Sequence, residues 1–440
     1  MMLRWNSTIS YDHLAKRRKA PSPVKSAHDM YLLDKPIYIK PLSGYSSDLA
    51  KDVRALHDQI RNIGDFKMGI FPGEIRDRIE AFADRTMPST CFREPDLADT
   101  PGALATFAAL CRVVDATAVS QSVRRYEDAW NNLIHTPLLD LVFGSHPLNI
   151  KRRAQEQVQE QKCVSVRFEP VMAATIAYEW IPRLRRGPIS EQIKKNTNLS
   201  DLACSVSAGS AISCTSSQLE GASHISVPKD LMHTSADSKK VDYVLVLDIL
   251  DGTPLKMVIS DLIQKAAVKA QETEGILKVP PAHVNQTTYH PIRDSPIAVS
   301  IETKQDFSSR DPLLQLGIWI AAWHRRMKVL YSARSLDILD DQFRNASTSD
   351  QPTISRPPDT VPPPNPALVS LPLIVATGHH WQIYFACDQD VSIELYGPLT
   401  IGSTATILDV YVLLCSLQAI KEWVETIFYT AIKSWFQCNK

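Results

Sequence analysis

The run Ile297-Ala298-Val299-Ser300-Ile301-Glu302-Thr303-Lys304 constrains the fold of this chain more than any other stretch. Its β-branched residues favour a strand. Alternation along that strand sends Ile297, Val299, Ile301 and Thr303 to one side and Ala298, Ser300, Glu302 and Lys304 to the other. The first set belongs in a core. The second starts small and ends with a carboxylate beside an ammonium. A further strand signal, Val241-Asp242-Tyr243-Val244-Leu245-Val246-Leu247, carries an acid near its start in an otherwise apolar run. If the two strands pair with Asp242 beside Glu302, two carboxylates and a lysine converge. Repulsion and desolvation would make that cluster unstable without a cation. Hard oxygen ligands with room for water and phosphate describe a magnesium site.

The surrounding pattern mixes helices and strands. Apolar residues recur at helical spacing over 46–120, and a helix over about 123–143 places Trp130, Leu133, Ile134, Leu138 and Leu141 on one stripe, with Pro137 expected to kink or break it. Strands are expected over 166–176, 373–376, 383–386 and 391–395. A helix starts at Pro312 with Asp311 as N-cap and runs to about Met327, and another runs from Ser403 or Thr404 to about Phe428. This order implies an α/β fold with a mixed sheet and helices packed on it. Residues 205–217 hold six serines and 345–366 hold seven prolines, so flexible insertions are expected at about 187–238 and 345–366. Residues 1–45 are expected to form a disordered basic tail whose Lys16, Arg17, Arg18 and Lys19 fit a nuclear localisation signal.

Composition narrows the function classes. The 48 basic and 48 acidic residues cancel, which excludes a uniformly basic nucleic-acid binder. The excess basic charge is local: residues 1–45 carry eight basic against three acidic groups, 121–186 ten against seven, and 295–330 five against three. A 44% hydrophobic, 22% charged chain can bury a large core, so a wholly disordered or fibrous protein is excluded. The fifteen glycines form no phosphate-cradling loop, and no G-x-S-x-G elbow or H-E-x-x-H pair is present. The eight cysteines show no zinc spacing and read as reduced thiols. No run reaches the roughly 18–20 apolar residues of a spanning helix and the start lacks a signal core, so an intracellular protein with no membrane partner is expected.

Asp242, the later Glu302-x-Lys304 and the helix that follows resemble the PD-(D/E)XK nuclease superfamily. More specifically, the chain is similar to the many fungal proteins described as PD-(D/E)XK nuclease-like. The resemblance spans about 120–430 and rests on ordered blocks: Trp130-Asn131-Asn132 with His135-Thr136-Pro137, Lys240-Val241-Asp242-Tyr243, Ser295 to Lys304, Leu314-Gln315-Leu316-Gly317-Ile318-Trp319, Ala322-Trp323-His324-Arg325-Arg326, His380-Trp381-Gln382-Ile383-Tyr384-Phe385 and Gly402-Ser403-Thr404. It implies a restriction-endonuclease-like core over 121–436, preceded by a helical region over 46–120, and metal-dependent hydrolysis of phosphodiester bonds, with DNA as the expected substrate. Asp242 and Glu302 would bind Mg²⁺, with Mn²⁺ as a substitute, joined by the Thr303 carbonyl. Lys304 would orient or deprotonate the attacking water and stabilise developing charge. Glu127 matches a helical glutamate that assists the metal, and Gln315 with Trp319 resembles the Q-x-x-x-Y element of recombination nucleases, whose Gln touches DNA or the site's water network. The chain departs from the pattern in having Val241 where proline is common, and in placing about sixty residues between Asp242 and Glu302, with an insertion over 250–293. The alternative from another class is an inactive nuclease-like module that binds nucleic acid or protein. Outside the site, Trp319 and Trp323 are expected in the core, His379-His380 in a loop or hairpin, and His135 at the helix kink.

Overall fold

The computed structural model describes residues 24–42, 46–144, 163–185, 240–274, 282–306, 311–347 and 367–437. Lys16, Arg17, Arg18 and Lys19, the insertion at 187–238 with its serine-rich stretch, and residues 348–366 of the proline-rich stretch lie outside the described residues. Seven strands form one sheet, in the spatial order β1 (Ile37–Lys40), β7 (Ile393–Ser403), β6 (His380–Asp388), β5 (Leu371–Thr377), β4 (Ile297–Lys304), β3 (Tyr243–Ile249) and β2 (Val164–Pro170). The β4–β5 and β1–β7 pairs are parallel, and the other neighbours are antiparallel. The expected α/β, restriction-endonuclease-like fold, a mixed sheet flanked by helices, is thus present.

β4 lies inside the sheet and all eight of its residues are buried. A strand covered on both faces cannot use a polar outer row, which is why small Ala298 and Ser300 alternate with Ile297, Val299 and Ile301. Parallel pairing of β4 with β5 requires a crossover, and helix α7 (Pro312–Ser347) supplies it. Asp311 accepts the Leu313 N–H at 3.0 Å as the N-cap expected for this helix. α7 runs well past Met327, and its Trp319 and Trp323 are buried core residues. Much of the long stretch between β3 and β4 is helix α6 (Pro254–Glu274), which returns the chain to an antiparallel neighbour.

The N-terminal region is helical, with α1 (Lys51–Phe66), α2 (Arg76–Ala83) and α3 (Thr100–Ser122). α1, α2 and α3 pack on α8 (Ile407–Trp423), which itself packs on β7. The expectation of a tail through residue 45 needs correction: Ala27–Leu32 forms a 3₁₀ turn and Ile37–Lys40 forms the edge strand β1. Met30, Leu33 and Ile37 are buried there, and burying them offsets the entropy of ordering so short a segment. Gly317 of α7 permits this contact, since a Cβ at that position would collide with Met30 Sδ.

Two further expectations are revised. α3 ends at Ser122, Arg124 takes a left-handed φ of 51°, and the next helix begins only at Glu127 as α4 (Glu127–Trp130). A π-helical turn, Asn131–His135, leads into α5 (Thr136–Phe143). Pro137 sits in the first turn of α5, where its missing N–H and its ring are accommodated by the wider turn before it. Leu133 is therefore exposed instead of joining the Trp130, Ile134 and Leu138 stripe. The segment Leu97–Ser122 is long and apolar enough to cross a membrane by length and composition, contrary to the expectation of no such run. In this fold, Ala103, Leu110, Val113, Thr117 and Ser120 of α3 are buried, and Thr117 Oγ1 donates to Thr404 Oγ1 at 2.9 Å. The described cysteines, Cys91, Cys111, Cys163, Cys387 and Cys415, form no disulfide.

Gly402 marks where β7 meets α8. Its φ is +137°, and a Cβ would lie 2.6 Å from the Leu413 backbone nitrogen. Gly402→Ala is expected to destabilise the fold by more than about 1 kcal/mol, because both the backbone conformation and the close approach resist a side chain. Urea midpoints of the two proteins measure this.

Candidate active site

The antiparallel register places Tyr243 opposite Ile301, so Asp242, one residue before β3, comes level with Glu302 at the end of β4. The Asp242 N–H donates to the Ile301 carbonyl at 3.1 Å. Its carboxylate oxygen Oδ2 accepts from the Thr303 N–H and from the Thr303 hydroxyl, each at 2.8 Å. Asp242 thus joins the end of β4 through its side chain where the β3 ladder begins.

Glu302 is 1% exposed and Lys304 7% exposed, so neither belongs to an ordinary solvated ion pair. Lys304 Nζ donates to Glu302 Oε1 at 2.5 Å and to the Thr303 carbonyl at 2.7 Å. It also reaches Glu127 at 3.3 and 3.4 Å. Gln315, one turn into α7, donates its side-chain N–H to the same Glu302 Oε1. Trp319, one turn further along α7, is buried. The structure therefore brings Asp242, Glu302, Thr303, Lys304, Gln315 and Glu127 into one connected cluster drawn from β3, β4, α7 and α4. The Thr303 carbonyl faces the Lys304 ammonium, and the Thr303 amide and hydroxyl hold Asp242.

One atom stands apart. Glu302 Oε2 is buried and has no hydrogen-bond partner, a costly state for a carboxylate oxygen. A cation would satisfy it. The available donors are two carboxylates and a backbone carbonyl, the kind of set that binds Mg²⁺ while leaving positions for water. Among the described residues no group of three or more His, Cys, Asp or Glu side chains is gathered to hold a metal, so a bound ion would rely on the carbonyl and water as well.

The electrostatics follow from burial. Desolvation first, and the charge of Asp242 second, push the Glu302 carboxyl well above the usual carboxylate range, against the pull of Lys304. Burial also raises Glu127, partly offset by Lys304. Burial alone would lower Lys304, but the charge and hydrogen bond of Glu302 outweigh it and raise the ammonium above its ordinary value. A carboxyl raised in the folded state gives stability that is complete below its unfolded value near 4.5 and is lost as pH rises through the folded value. Lys304, raised above 10.5, loses its contribution only at still higher pH. Metal-free wild type is therefore expected to lose stability relative to Glu302→Gln as pH rises from about 5 toward 9, as measured by paired urea titrations.

Asn131 and His135 also belong to this cluster, although sequence reasoning assigned them only to the helix and its kink. Asn131 Oδ1 lies 2.8 Å from Thr303 Oγ1 and 3.0 Å from His135 Nδ1, and His135 Nε2 lies 3.2 Å from the Gly378 carbonyl. Gly378 is in the β5–β6 hairpin, next to His379 and His380, and its N–H donates to the Lys304 carbonyl at 2.7 Å. Two signals were available, the resemblance block that contains both residues and their Asn131-x-x-x-His135 spacing; the block gave them no role and the spacing indicates only a shared helical face.

A mixed sheet whose inner strand ends in Glu-x-Lys, with an acid from the adjacent strand beside it, defines a nuclease-like α/β scaffold. A family model described as PD-(D/E)XK nuclease superfamily matches residues 74–429, and the chain belongs to that superfamily. The match starts within the helical region, so α2 and α3 fall inside it. Neither the curated proteins nor the solved structures searched gave a match. Members of this superfamily are generally nucleases and typically use divalent metal ions, and membership implies nucleic acid as the substrate class.

Proposed function

We propose that the protein is a metal-dependent nuclease that hydrolyses phosphodiester bonds in DNA, with Mg²⁺ as its ion and Mn²⁺ as a substitute. The observation that carries this reading is the unpartnered, buried Glu302 Oε2 in a cluster that also offers Asp242. Asp242 and Glu302 would hold the ion, with the Thr303 carbonyl as a further donor. When bound, the ion supplies Lewis-acid stabilisation of charge on a phosphoryl oxygen. Gln315 and Lys304 both engage Glu302 Oε1, which leaves Oε2 as the oxygen without a protein partner. The raised Lys304 stays an ammonium at neutral pH, so it orients water and stabilises phosphorane charge instead of accepting a proton. Glu127 positions that ammonium from α4.

The Gln315 resemblance to recombination nucleases supports DNA, and the local basic excess over 121–186 and 295–330 supports a polyanionic substrate near the site. The basic cluster Lys16–Lys19 supports a nuclear location. The test incubates labelled single-stranded, double-stranded and branched DNA, and RNA, with Mg²⁺ or Mn²⁺. Cleavage of one or more DNA forms is expected, and cleavage of RNA alone would overturn the DNA assignment. The Lys304 ammonium already pairs with Glu302 without an ion, and this favours a second reading, a nuclease-like module without turnover. Retarded migration of uncleaved nucleic acid in the same mixtures would select it.

A further inference from the structure

Three links lie between His135 and Asp242, and donor and acceptor logic gives them a single direction. The Gly378 carbonyl can only accept, so His135 Nε2 at 3.2 Å carries a proton. His135 is fully buried, no carboxylate among the described residues faces it, and burial lowers its pKa to about 4, so the ring is neutral and Nδ1 must accept. The atom 3.0 Å from Nδ1 belongs to the Asn131 side-chain amide, and the same atom lies 2.8 Å from Thr303 Oγ1. With the amide oxygen there, His135 Nδ1 would face a second acceptor, and Asn131 and Asp242 would compete for the single Thr303 hydroxyl proton. The two ends of an amide have the same shape, and only their partners distinguish them. With the NH₂ in that place, it donates to His135 Nδ1 and to Thr303 Oγ1, and the Thr303 hydroxyl donates to Asp242 Oδ2 at 2.8 Å. Every donor in the chain then has an acceptor.

We infer that His135 and Asn131 are positioning residues that hold the Asp242 carboxylate, through the Thr303 hydroxyl, in the orientation that binds the metal ion. The inference rests on the metal reading of Asp242 and Glu302. The other end of the chain supports it: Gly378, which accepts from His135, donates to the Lys304 backbone at 2.7 Å, so one imidazole ties together the backbone of Lys304 and the side chain of Asp242. The Tyr243 hydroxyl, 3.3 Å from the Asn131 carbonyl and 2.9 Å from Thr136 Oγ1, anchors the π turn to the strand that follows Asp242.

The test titrates Mn²⁺ into full-length wild type, Asn131→Ala, Thr303→Val, the double variant, and Asn132→Ala as an exposed neighbour control, by calorimetry without substrate. Asn131→Ala and Thr303→Val are each expected to weaken Mn²⁺ binding about 10–100-fold, the usual effect of losing a residue that orients a metal ligand. The double variant should be no weaker than the worse single one, because both break one chain. Asn132→Ala should match wild type. If Asn131→Ala does not fold, the near-isosteric Thr303→Val carries the test. Unchanged Mn²⁺ affinity in folded Thr303→Val, in a protein whose Glu302→Gln variant has lost binding, overturns this inference alone. If wild type binds no Mn²⁺, the metal reading falls and this inference with it. Nitrogen NMR of the His135 ring gives a check that needs no metal: a proton on Nε2 is expected, and a proton on Nδ1 alone would overturn the proposed direction.

Discussion

Lys304→Met is expected to destabilise the metal-free protein by about 3–5 kcal/mol, the usual cost of removing one partner from a buried ion pair. Lys304 is the cation facing Glu302, which also feels the charges of Asp242 and Glu127. Methionine fills the same channel but leaves those carboxyls repelling one another. Glu302 can escape only by binding a proton, so the loss should shrink toward acid pH and grow toward alkaline pH. Mg²⁺ would replace part of the missing positive charge. It should therefore raise the urea midpoint of Lys304→Met more than that of wild type, while cleavage stays lost. Equal midpoints for the two metal-free proteins would show that Lys304 and Glu302 do not depend on each other.

The second large effect separates activity from stability. Glu302→Gln keeps the shape of the side chain and an oxygen that can accept from Gln315 and Lys304, and Lys304 retains Glu127 and the Thr303 carbonyl as partners. Near pH 5 stability should change by no more than about 1 kcal/mol, since the amide replaces a carboxyl that burial favours in its neutral form but gains an unpaired donor. Cleavage should fall on the order of 10³-fold, because the charge that would hold the ion is gone. Denaturant midpoints and single-turnover rates, measured on the same preparation, test both halves. A variant with near wild-type rates would remove Glu302 from the chemistry.

Most of this cluster was legible because it is built along one strand and its antiparallel neighbour. Alternation put Glu302 and Lys304 on one face, and an acid at the start of the neighbouring strand put Asp242 level with Glu302. The part of Thr303 that acts on Asp242 was not legible, because which backbone and hydroxyl groups meet depends on how the chain bends before β3. Asn131 and His135 were missed for a different reason. Asn131 reaches β4 and His135 reaches the β5–β6 turn by packing of a helix onto a sheet across more than a hundred and seventy residues, and local periodicity carries no such information. The π turn that aims them is equally silent, since Pro137 marks a disturbance but not its form. Strand β1 was overlooked because four residues at a sheet edge, paired in parallel with β7, leave too short a pattern to separate from a tail. The long stretch between Asp242 and Glu302 looked like an obstacle to pairing, and α6 removes it by returning the chain to the adjacent position.

If Asp242 and Glu302 together form the ion site of a phosphodiesterase, cleavage must depend on both the ion and Asp242. The direct measurement is cleavage of an end-labelled DNA by chelator-treated protein as Mg²⁺ is added back, with wild type and Asp242→Asn run side by side. No products are expected before addition, products that rise and saturate with Mg²⁺ are expected for wild type, and none for Asp242→Asn at the same concentrations. Cleavage that survives chelation, or that proceeds equally in Asp242→Asn, would contradict it.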